Sequence, residues 1–278
     1  MPQPKKHDSI QMLMADVDGT LVTPQKDLTE RAIQAVTRLR YIGKKFTMIS
    51  SRPPYGMRSL VDALEVSQPI VAFNGGMLVT QEGKTIYQYE LSPEIISQVL
   101  SQLQQYGLSP RLYTPQAWYI NSPHQPHMEH ETCTIETRPT VVDDFSPDYK
   151  QVVKMTGVSD DYEAVSACQK SLSRLLGDKA SVLCSQRYYL DITHQLANKG
   201  HAVELIAQWE KLSKHEIAVI GDMPSDVPMF KQAGLSIAMG NANLSVQKQA
   251  DFVTDTDAND GFAKAIENYI LNPIAHLV

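Results

Sequence analysis

Two aspartates separated by one residue, Asp16 and Asp18, are the side chains of this sequence best suited to chemistry. They follow the mostly apolar segment 10–15, which has the length of a buried strand, and they precede a turn at Gly19. In parallel α/β sheets, ligands bind at the carboxyl ends of the strands. Two ionised carboxylates this close repel each other and favour a cation or a shared proton. Mg²⁺ and a phosphate would suit them, with one carboxylate as nucleophile and the other as proton donor. A solvated Asp-Gly turn is the alternative for this stretch alone.

A second acidic pair, Asp222 and Asp226, follows the apolar segment 216–220, which also has the pattern of a buried strand. Lys199 stands at the start of a predicted helix. Taken alone, Lys199 would be interpreted as a solvated surface residue and Gly221-Asp222 as a turn. Together with Asp16 and Asp18, they place acidic and basic groups on one edge of one sheet, which indicates a site for phosphate and magnesium.

Small polar residues end two further predicted strands. Ser50-Ser51-Arg52 follows the segment 45–49 and could offer a hydroxyl and backbone N–H groups to an anion. From spacing alone, an ordinary helix N-cap is the better interpretation of these serines. Asn74-Gly75-Gly76 follows the segment 69–73, where the glycines permit either a close backbone approach or a plain turn.

The order of predicted elements indicates an α/β fold with an insertion. Strands alternate with helices up to residue 73, which predicts a Rossmann-like parallel sheet with right-handed crossovers. The chain then changes to a hairpin at 77–90, a helix from Ser92, an aromatic strand region at 111–120 and an irregular polar stretch at 121–150. The parallel pattern resumes from Asn198. The predicted division is a core of 1–85 and 189–278, with an inserted α+β cap of 86–188.

Three histidines and a cysteine in the irregular stretch form a possible zinc pattern: His124, His127, His130 and Cys133 stand at three-residue steps. The neighbouring prolines Pro123 and Pro126 interrupt any helix before His127. A polar loop is therefore the favoured interpretation of these residues.

Composition excludes several classes of partner. The 278 residues carry a formal net charge of -6, whereas nucleic acids and anionic membranes favour basic surfaces. The first eight residues lack the apolar stretch of a signal peptide, and no segment has the length of a membrane span. The three cysteines are widely spaced without a CxxC pattern, which is typical of a reduced compartment. We therefore expect a soluble cytoplasmic protein. The net charge does not argue against a phosphorylated substrate, because a local cation site can overrule it.

The combination of these motifs resembles the haloacid dehalogenase superfamily of phosphohydrolases. The resemblance rests on four stretches in the same order: DVDGTL at 16–21, Ser50-Ser51-Arg52, Asn198-Lys199-Gly200 and GDMPSD at 221–226. It covers nearly the whole chain. The position of the cap, just after Phe73-Asn74-Gly75-Gly76, is similar to that in the Cof-type sugar-phosphate phosphatases.

The resemblance implies a role for each acidic residue. Asp16 attacks phosphorus and becomes an aspartyl phosphate, and Asp18 first protonates the leaving oxygen and then deprotonates the attacking water. Mg²⁺ is held by Asp16, by the backbone carbonyl of Asp18 and by Asp222. Asp226 lies close to the metal and acts on it directly or through water.

The resemblance also implies the phosphate and substrate contacts. Ser50 and Lys199 bind the transferring phosphoryl group, while Asn74 and Gly75 lie where cap and substrate meet. The sequence departs from the family pattern at three serines. Ser50 replaces the usual Thr and keeps its hydroxyl, and Ser51 replaces a Gly beside the phosphate loop. Ser225 replaces an Asn and is expected to weaken one hydrogen bond.

The resulting prediction is a magnesium-dependent phosphomonoesterase that acts on a small phosphorylated metabolite, a sugar phosphate. Two alternatives stay open: a sugar phosphomutase, and a regulatory module that binds a sugar phosphate with incidental turnover. In the cap, Trp118, Tyr119, His124 and Arg138 are candidate substrate contacts, with packing in the cap sheet as the favoured interpretation of Trp118.

Overall fold

The computed structural model describes residues 9–146 and 149–271. The strands in chain order are β1 (Met12–Ala15), β2 (Lys45–Met48), β3 (Ile70–Ala72), β4 (Met77–Val79), β5 (Thr85–Gln88), β6 (Ser109–Tyr113), β7 (Trp118–Ile120), β8 (Thr140–Val141), β9 (Lys154–Val158), β10 (Ala180–Gln186), β11 (Tyr189–His194), β12 (Ile217–Gly221), β13 (Leu235–Ala238) and β14 (Phe252–Val253). The α-helices are α1 (Glu30–Tyr41), α2 (Arg58–Ala63), α3 (Pro93–Gln105), α4 (Met128–Ile135), α5 (Tyr162–Leu176), α6 (Lys199–Glu210), α7 (Val227–Lys231), α8 (Leu244–Gln247) and α9 (Gly261–Ile266). Short 3₁₀ turns include Pro54–Met57, Phe73–Gly75 and Pro224–Asp226.

A five-stranded parallel sheet in the order β14-β13-β12-β1-β2 forms the centre of the core. In its register, Met14 lies opposite Val219 of β12 and Thr47 of β2. Every residue of β1 is buried because helices cover both faces of the sheet, and this explains its uninterrupted apolar sequence. The predicted parallel α/β core is confirmed.

Helix caps fix where the core helices begin. Thr29 accepts a hydrogen bond from the Ala32 N–H and starts α1. Asn198 accepts one from the His201 N–H and starts α6. Lys199 therefore lies in the first turn of α6, at the carboxyl edge of the sheet.

The hairpin predicted at 77–90 is present as β4 and β5, which extend β3 into a three-stranded antiparallel sheet. A parallel bridge between Ile49 and Val71 connects this small sheet to the end of β2. The hairpin therefore leads the chain out of the core and towards the inserted segment.

The inserted segment builds a six-stranded sheet in the order β10-β11-β9-β6-β7-β8. Helices α3 and α5 cover one face, packing on residues such as Leu112, Met155 and Ile192. The opposite face is directed at the core: the Tyr113 and Phe73 rings lie 6.5 Å apart, and Trp118 belongs to the same apolar cluster as Phe73. The inserted sheet thus covers the loops at the carboxyl edge of the core.

Strand pairing bears on the predicted domain boundaries. The boundary at 188/189 falls in the turn between β10 and β11, yet β11 pairs with both β10 and β9 of the inserted sheet. The boundary at 85/86 falls inside β5, which pairs with β4. We therefore propose core segments up to Gln88 and from Ala197 onwards; the division into core and cap itself stays a proposal.

One stretch of the insert differs from the sequence prediction. The stretch expected to be irregular, 121–150, contains helix α4 and the short strand β8. Helix α4 begins without a side-chain cap, and His127 before it has a left-handed backbone with φ 57°. It ends at Glu136, whose left-handed backbone with φ 53° is common after helices. Residues 147–148 of this stretch and the predicted tail 1–8 lie outside the described residues.

Within the described ranges, we find no helix that combines the length and the apolar character needed to cross a membrane. The three cysteines are free: Cys133 and Cys184 are exposed and Cys168 is buried.

Candidate active site

Two adjacent strands deliver their carboxylates to one point. β1 ends directly before Asp16 and β12 ends directly before Asp222, and the Asp16 N–H donates to the Ile220 carbonyl at 3.0 Å. Carboxylate oxygens of Asp16, Asp222 and Asp226 all lie within 4.8 Å of one another. The structure therefore brings together the predicted acidic residues, which follow two strands more than 200 positions apart in the sequence.

Lys199 supplies the positive charge between these carboxylates. Its ammonium group donates hydrogen bonds at 2.5 Å to Asp16 Oδ1 and Asp226 Oδ1, and its side chain is only 3% exposed. Burial alone would lower the pKa of Lys199, but attraction to Asp16 and Asp226 outweighs it and raises the pKa above the ordinary lysine value. Lys199 is therefore a permanent cation inside the site.

Asp226 is held by the loop in which it lies. Its Oδ2 accepts hydrogen bonds from the backbone N–H groups of Asp222 and Met223, each at 2.8 Å, while its Oδ1 accepts from Lys199. A Cβ on Gly221 would lie 2.6 Å from Asp226 Oδ2, so the loop closes this tightly only with glycine there. Asp226 is thus well placed to orient Asp222 and Lys199.

Burial makes ionisation of Asp16 and Asp222 costly. For Asp16, burial raises the pKa above the usual carboxyl range, and Lys199 only partly offsets it. For Asp222, burial and repulsion from Asp16 and Asp226 raise the pKa in the same direction. A cation bound at this point would remove that cost.

The oxygen-rich donor set of Asp16, Asp222 and Asp226 fits Mg²⁺, which prefers carboxylate, carbonyl and water ligands. The room for the cluster depends on Gly19, since a Cβ there would lie 2.5 Å from Asp222 Oδ2. Asn241 donates from Nδ2 to the Gly19 carbonyl at 2.9 Å and to Asp222 Oδ2 at 3.3 Å. The neighbouring groups thus hold the donor set in place.

Asp18 is not part of this converging group, and its carboxylate is paired with two cations. Arg52 donates to it through two nitrogens, Nε to Oδ2 and Nη2 to Oδ1, each at 2.8 Å, and Lys26 Nζ lies 2.8 Å from Oδ1. Burial opposes ionisation of Asp18, but the bonds and charges of Arg52 and Lys26 outweigh it and hold its pKa well below the usual carboxyl range. In this arrangement Asp18 is an ionised carboxylate.

The predicted phosphate loop lies beside the acidic residues. Ser50 is buried, and its Oγ accepts a hydrogen bond from the Arg52 N–H at 3.1 Å, which leaves its hydroxyl proton available for a ligand. The Asn74 N–H donates to the Ser50 carbonyl at 2.8 Å, so the 73–76 loop is connected to it. Gly75, at φ +101°, approaches so closely that a Cβ would lie 2.5 Å from the Asn198 carbonyl oxygen.

Two further predicted site residues, Ser51 and Ser225, are not hydrogen-bonded to the acidic cluster among the described residues. Both side chains are half-buried. Their predicted roles stay predictions.

The four predicted substrate contacts of the cap lie in different environments, from fully buried to exposed. Trp118 is fully buried, stacks on Tyr113 at 5.7 Å and donates to the Thr137 carbonyl, in keeping with the packing interpretation. Tyr119 packs against Tyr149 on the helix side of the sheet. His124 and Arg138 are exposed.

The possible zinc pattern finds no support in the described residues. His127 Nε2 pairs with Asp160 at 2.8 Å and its ring stacks on Tyr188. Across the described ranges, the acidic cluster at Asp16 is the one group of potential metal ligands that converges. The expected polar loop is only partly present, because His124 and His127 precede helix α4 whereas His130 and Cys133 lie within it.

Sequence reasoning missed three contributors to the site. Asn241 directly follows Met239-Gly240 after β13, so a polar residue at the end of a third core strand was the available signal. Arg52 was part of a quoted motif but had no assigned role, and Lys26 carried no signal, because its contact with Asp18 depends on the loop conformation.

Comparison with known proteins decides the family. The model of the haloacid dehalogenase-like hydrolases matches residues 13–266, which is nearly the whole chain. The chain belongs to this family. The resemblance inferred from the motifs is thereby confirmed, and the chain is a phosphatase, a phosphoric monoester hydrolase.

Individual members of the haloacid dehalogenase-like hydrolases are similar over their full lengths. The pyridoxal phosphate phosphatase YbhA of Escherichia coli is 24% identical over 94% of this chain and 98% of its own. The 5-amino-6-(5-phospho-D-ribitylamino)uracil phosphatase YitU of Bacillus subtilis is 26% identical over 93% and 97%. A haloacid dehalogenase-like hydrolase from Bacteroides thetaiotaomicron has a similar solved structure, with a TM-score of 0.86 and 28% identity over 93% and 99% of the two chains.

Proposed function

We propose that this phosphatase is magnesium-dependent and hydrolyses a small phosphorylated metabolite, a sugar phosphate, through an aspartyl phosphate on Asp16. The observation that carries the proposal is the Lys199 ammonium group between Asp16 and Asp226, beside Asp222, at the carboxyl edge of the sheet. The names of two relatives, for pyridoxal phosphate and for a phosphoribityl compound, support a small phosphorylated substrate.

In the first step, a carboxylate oxygen of Asp16 attacks phosphorus while the bond from phosphorus to the leaving oxygen breaks. Lys199 and the Ser50 hydroxyl would bind the equatorial phosphoryl oxygens, where negative charge must be stabilised. Ser51 and Ser225 would contribute at the edge of the same phosphate site. Bound Mg²⁺, held by Asp16, Asp222, the Asp18 carbonyl and, directly or through water, Asp226, would supply further positive charge and keep Asp16 ionised.

Asp18 would move the protons. It gives a proton to the leaving oxygen in the first step and takes one from the water that attacks phosphorus in the second. The second attack breaks the bond between phosphorus and the Asp16 oxygen, which releases phosphate and regenerates Asp16. Its pairing with Arg52 and Lys26 holds it ionised, which leaves it without a proton to give and also makes it a weak base. For Asp18 to act as the acid, these two cations must exchange partners when the substrate binds.

The cap supplies a cover over this chemistry. The contact of Tyr113 with Phe73 brings the inserted sheet onto the loop that carries Asn74 and Gly75, which favours exclusion of bulk water from the phosphoryl group. The three free cysteines support a cytoplasmic location, which we propose for the protein.

The test is phosphate release from a panel of sugar phosphates, pyridoxal phosphate and nucleoside monophosphates, with Mg²⁺ or with EDTA. We expect release that depends on Mg²⁺ and is lost in Asp16→Asn, while the same change at the exposed Asp178 leaves it intact. Isomerised sugar phosphate without free phosphate would instead identify a mutase. Tight binding without turnover in the wild type would contradict the proposal and favour a regulatory module.

A further inference from the structure

The face of the inserted sheet that is turned towards the core carries a buried polar group. Lys154 and Thr156 of β9 alternate with Met155, which points to the helices, and Asp191 of β11 lies opposite Thr156 in the register. Lys154 Nζ and Thr156 Oγ1 both lie 3.0 Å from Asp191 Oδ1. Lys154 is 8% exposed and Asp191 4%. We call Lys154, Thr156 and Asp191 the cap polar cluster.

The second oxygen of Asp191 has no partner. Oδ2 is buried and makes no hydrogen bond, one of two such side-chain atoms found among the described residues. A buried carboxylate oxygen left unpaired costs free energy, and most such groups in native proteins have a partner. Oδ1, in contrast, accepts a hydrogen bond from Thr156 and forms an ion pair with Lys154. Asp191 is therefore held in position with one acceptor left over.

The cap polar cluster lies next to the catalytic loops. Tyr113, the register partner of Lys154, contacts Phe73, and the Lys154 ammonium group lies 5.4 Å from the Tyr113 ring centroid. Val153, which precedes Lys154, packs on Gly76, where a Cβ would lie 2.9 Å from its Cγ1. The loop from Phe73 to Gly76 is in turn hydrogen-bonded to Ser50.

We propose that Asp191 and Lys154 form the subsite that binds a hydroxyl group on the organic part of the substrate. A hydroxyl can donate to Asp191 Oδ2 and accept from Lys154 at once, which neither an apolar group nor a second phosphate does. The opposite charges of the pair cancel, so the subsite selects an uncharged hydroxylated carbon skeleton over a bisphosphate. The substrate enters when cap and core move apart.

This inference rests on the proposed phosphatase function and specifies the class of its substrate. A purely structural ion pair between β9 and β11 is the competing explanation. That explanation predicts loss of stability on mutation, but no dependence of the loss in activity on the hydroxyl groups of the substrate.

The experiment measures kcat/KM for the best sugar phosphate of the panel, for its series of monodeoxy analogues and for p-nitrophenyl phosphate, which has no hydroxyl. In the wild type, at least one deoxy analogue should be slower by about 10–100-fold, the loss expected for a hydrogen bond to a charged group. In Asp191→Asn and Lys154→Met, the ratio of kcat/KM for the parent sugar phosphate to that for p-nitrophenyl phosphate should fall by a similar factor. The difference between parent and analogue should disappear.

Asp178→Asn, an exposed carboxylate of the same inserted segment, is the matched control and should keep the wild-type ratios. If Asp191→Asn does not fold, the wild-type series decides alone: equal kcat/KM for the parent and every deoxy analogue overturns the proposal. Variants that retain the wild-type discrimination overturn it as well. Failure of the wild type to hydrolyse even p-nitrophenyl phosphate would instead refute the phosphatase function on which the subsite depends.

Discussion

Replacing Lys199 by methionine removes the cation that lies between Asp16 and Asp226 while nearly keeping the volume of the side chain. In the wild type both hydrogen bonds are buried, and Asp226 is fully inaccessible to solvent. The variant therefore leaves a group of carboxylates in the interior without their counter-charge. Breaking a buried ion pair by removing one partner costs about 3–5 kcal/mol.

We expect this loss to appear as a fall in Tm of roughly 6–20 °C, measured by calorimetry in EDTA. Phosphate release should fall by at least about 10²–10³-fold, because Lys199 also stabilises charge on the transferring phosphoryl group. The matched control is Lys84→Met, an exposed lysine in the turn between β4 and β5, which should change neither quantity. A Tm for Lys199→Met equal to that of the wild type in EDTA would refute the reasoning, since it would mean that the carboxylates do not need the cation.

Three further predictions concern the support of the site. In denaturant titrations, Gly75→Ala should destabilise the protein by about 1–3 kcal/mol more than Gly83→Ala. Both glycines have positive φ, but only a Cβ at Gly75 would clash with the Asn198 carbonyl. Equal losses of stability in the two variants would contradict this close approach. Asn241→Ala should raise the Mg²⁺ concentration for half-maximal activity by about 10–100-fold, as expected for loss of a group that orients a metal ligand; an unchanged Mg²⁺ dependence would exclude that role. Burial raises the pKa values of Asp16 and Asp222, so the stability contributed by their protonated forms is lost as the pH rises from the ordinary carboxyl range through the raised pKa values. Below the raised pKa values, Mg²⁺ must compete with protons for the same oxygens. The rise in Tm caused by Mg²⁺ should therefore be larger at about pH 8.5 than at about pH 6, and the reverse order would contradict the raised values.

The acidic cluster could be predicted because it follows from topology. Asp16 and Asp222 each come directly after a buried parallel strand, and the carboxyl ends of parallel strands meet at one edge of a sheet. The cap of α1 at Thr29 was predictable for a similar reason, because the signal is local to a few residues. Lys199 could be assigned to the site only in combination with the two acidic pairs.

Other parts of the site depend on contacts between residues distant in the sequence, which no local sequence pattern predicts. The bidentate pairing of Arg52 with Asp18 joins two loops and requires the fold to be known. The cap polar cluster is formed by residues of two paired strands, Lys154 and Asp191, whose register the sequence does not state. Helix α4 begins without a capping side chain and has a weak apolar face, so no local pattern indicates a helix after His127.

If Asp16 is the nucleophile, a single-turnover experiment should trap its phosphorylated form. Enzyme in excess over a phosphate-labelled substrate is quenched in acid, and the protein is digested and mapped for covalently bound phosphate. We expect a transient phosphoryl group on the peptide that contains Asp16, sensitive to hydroxylamine and absent from Asp16→Asn. Rapid phosphate release by the wild type, with no labelled protein at any time and undiminished release by Asp16→Asn, would contradict it.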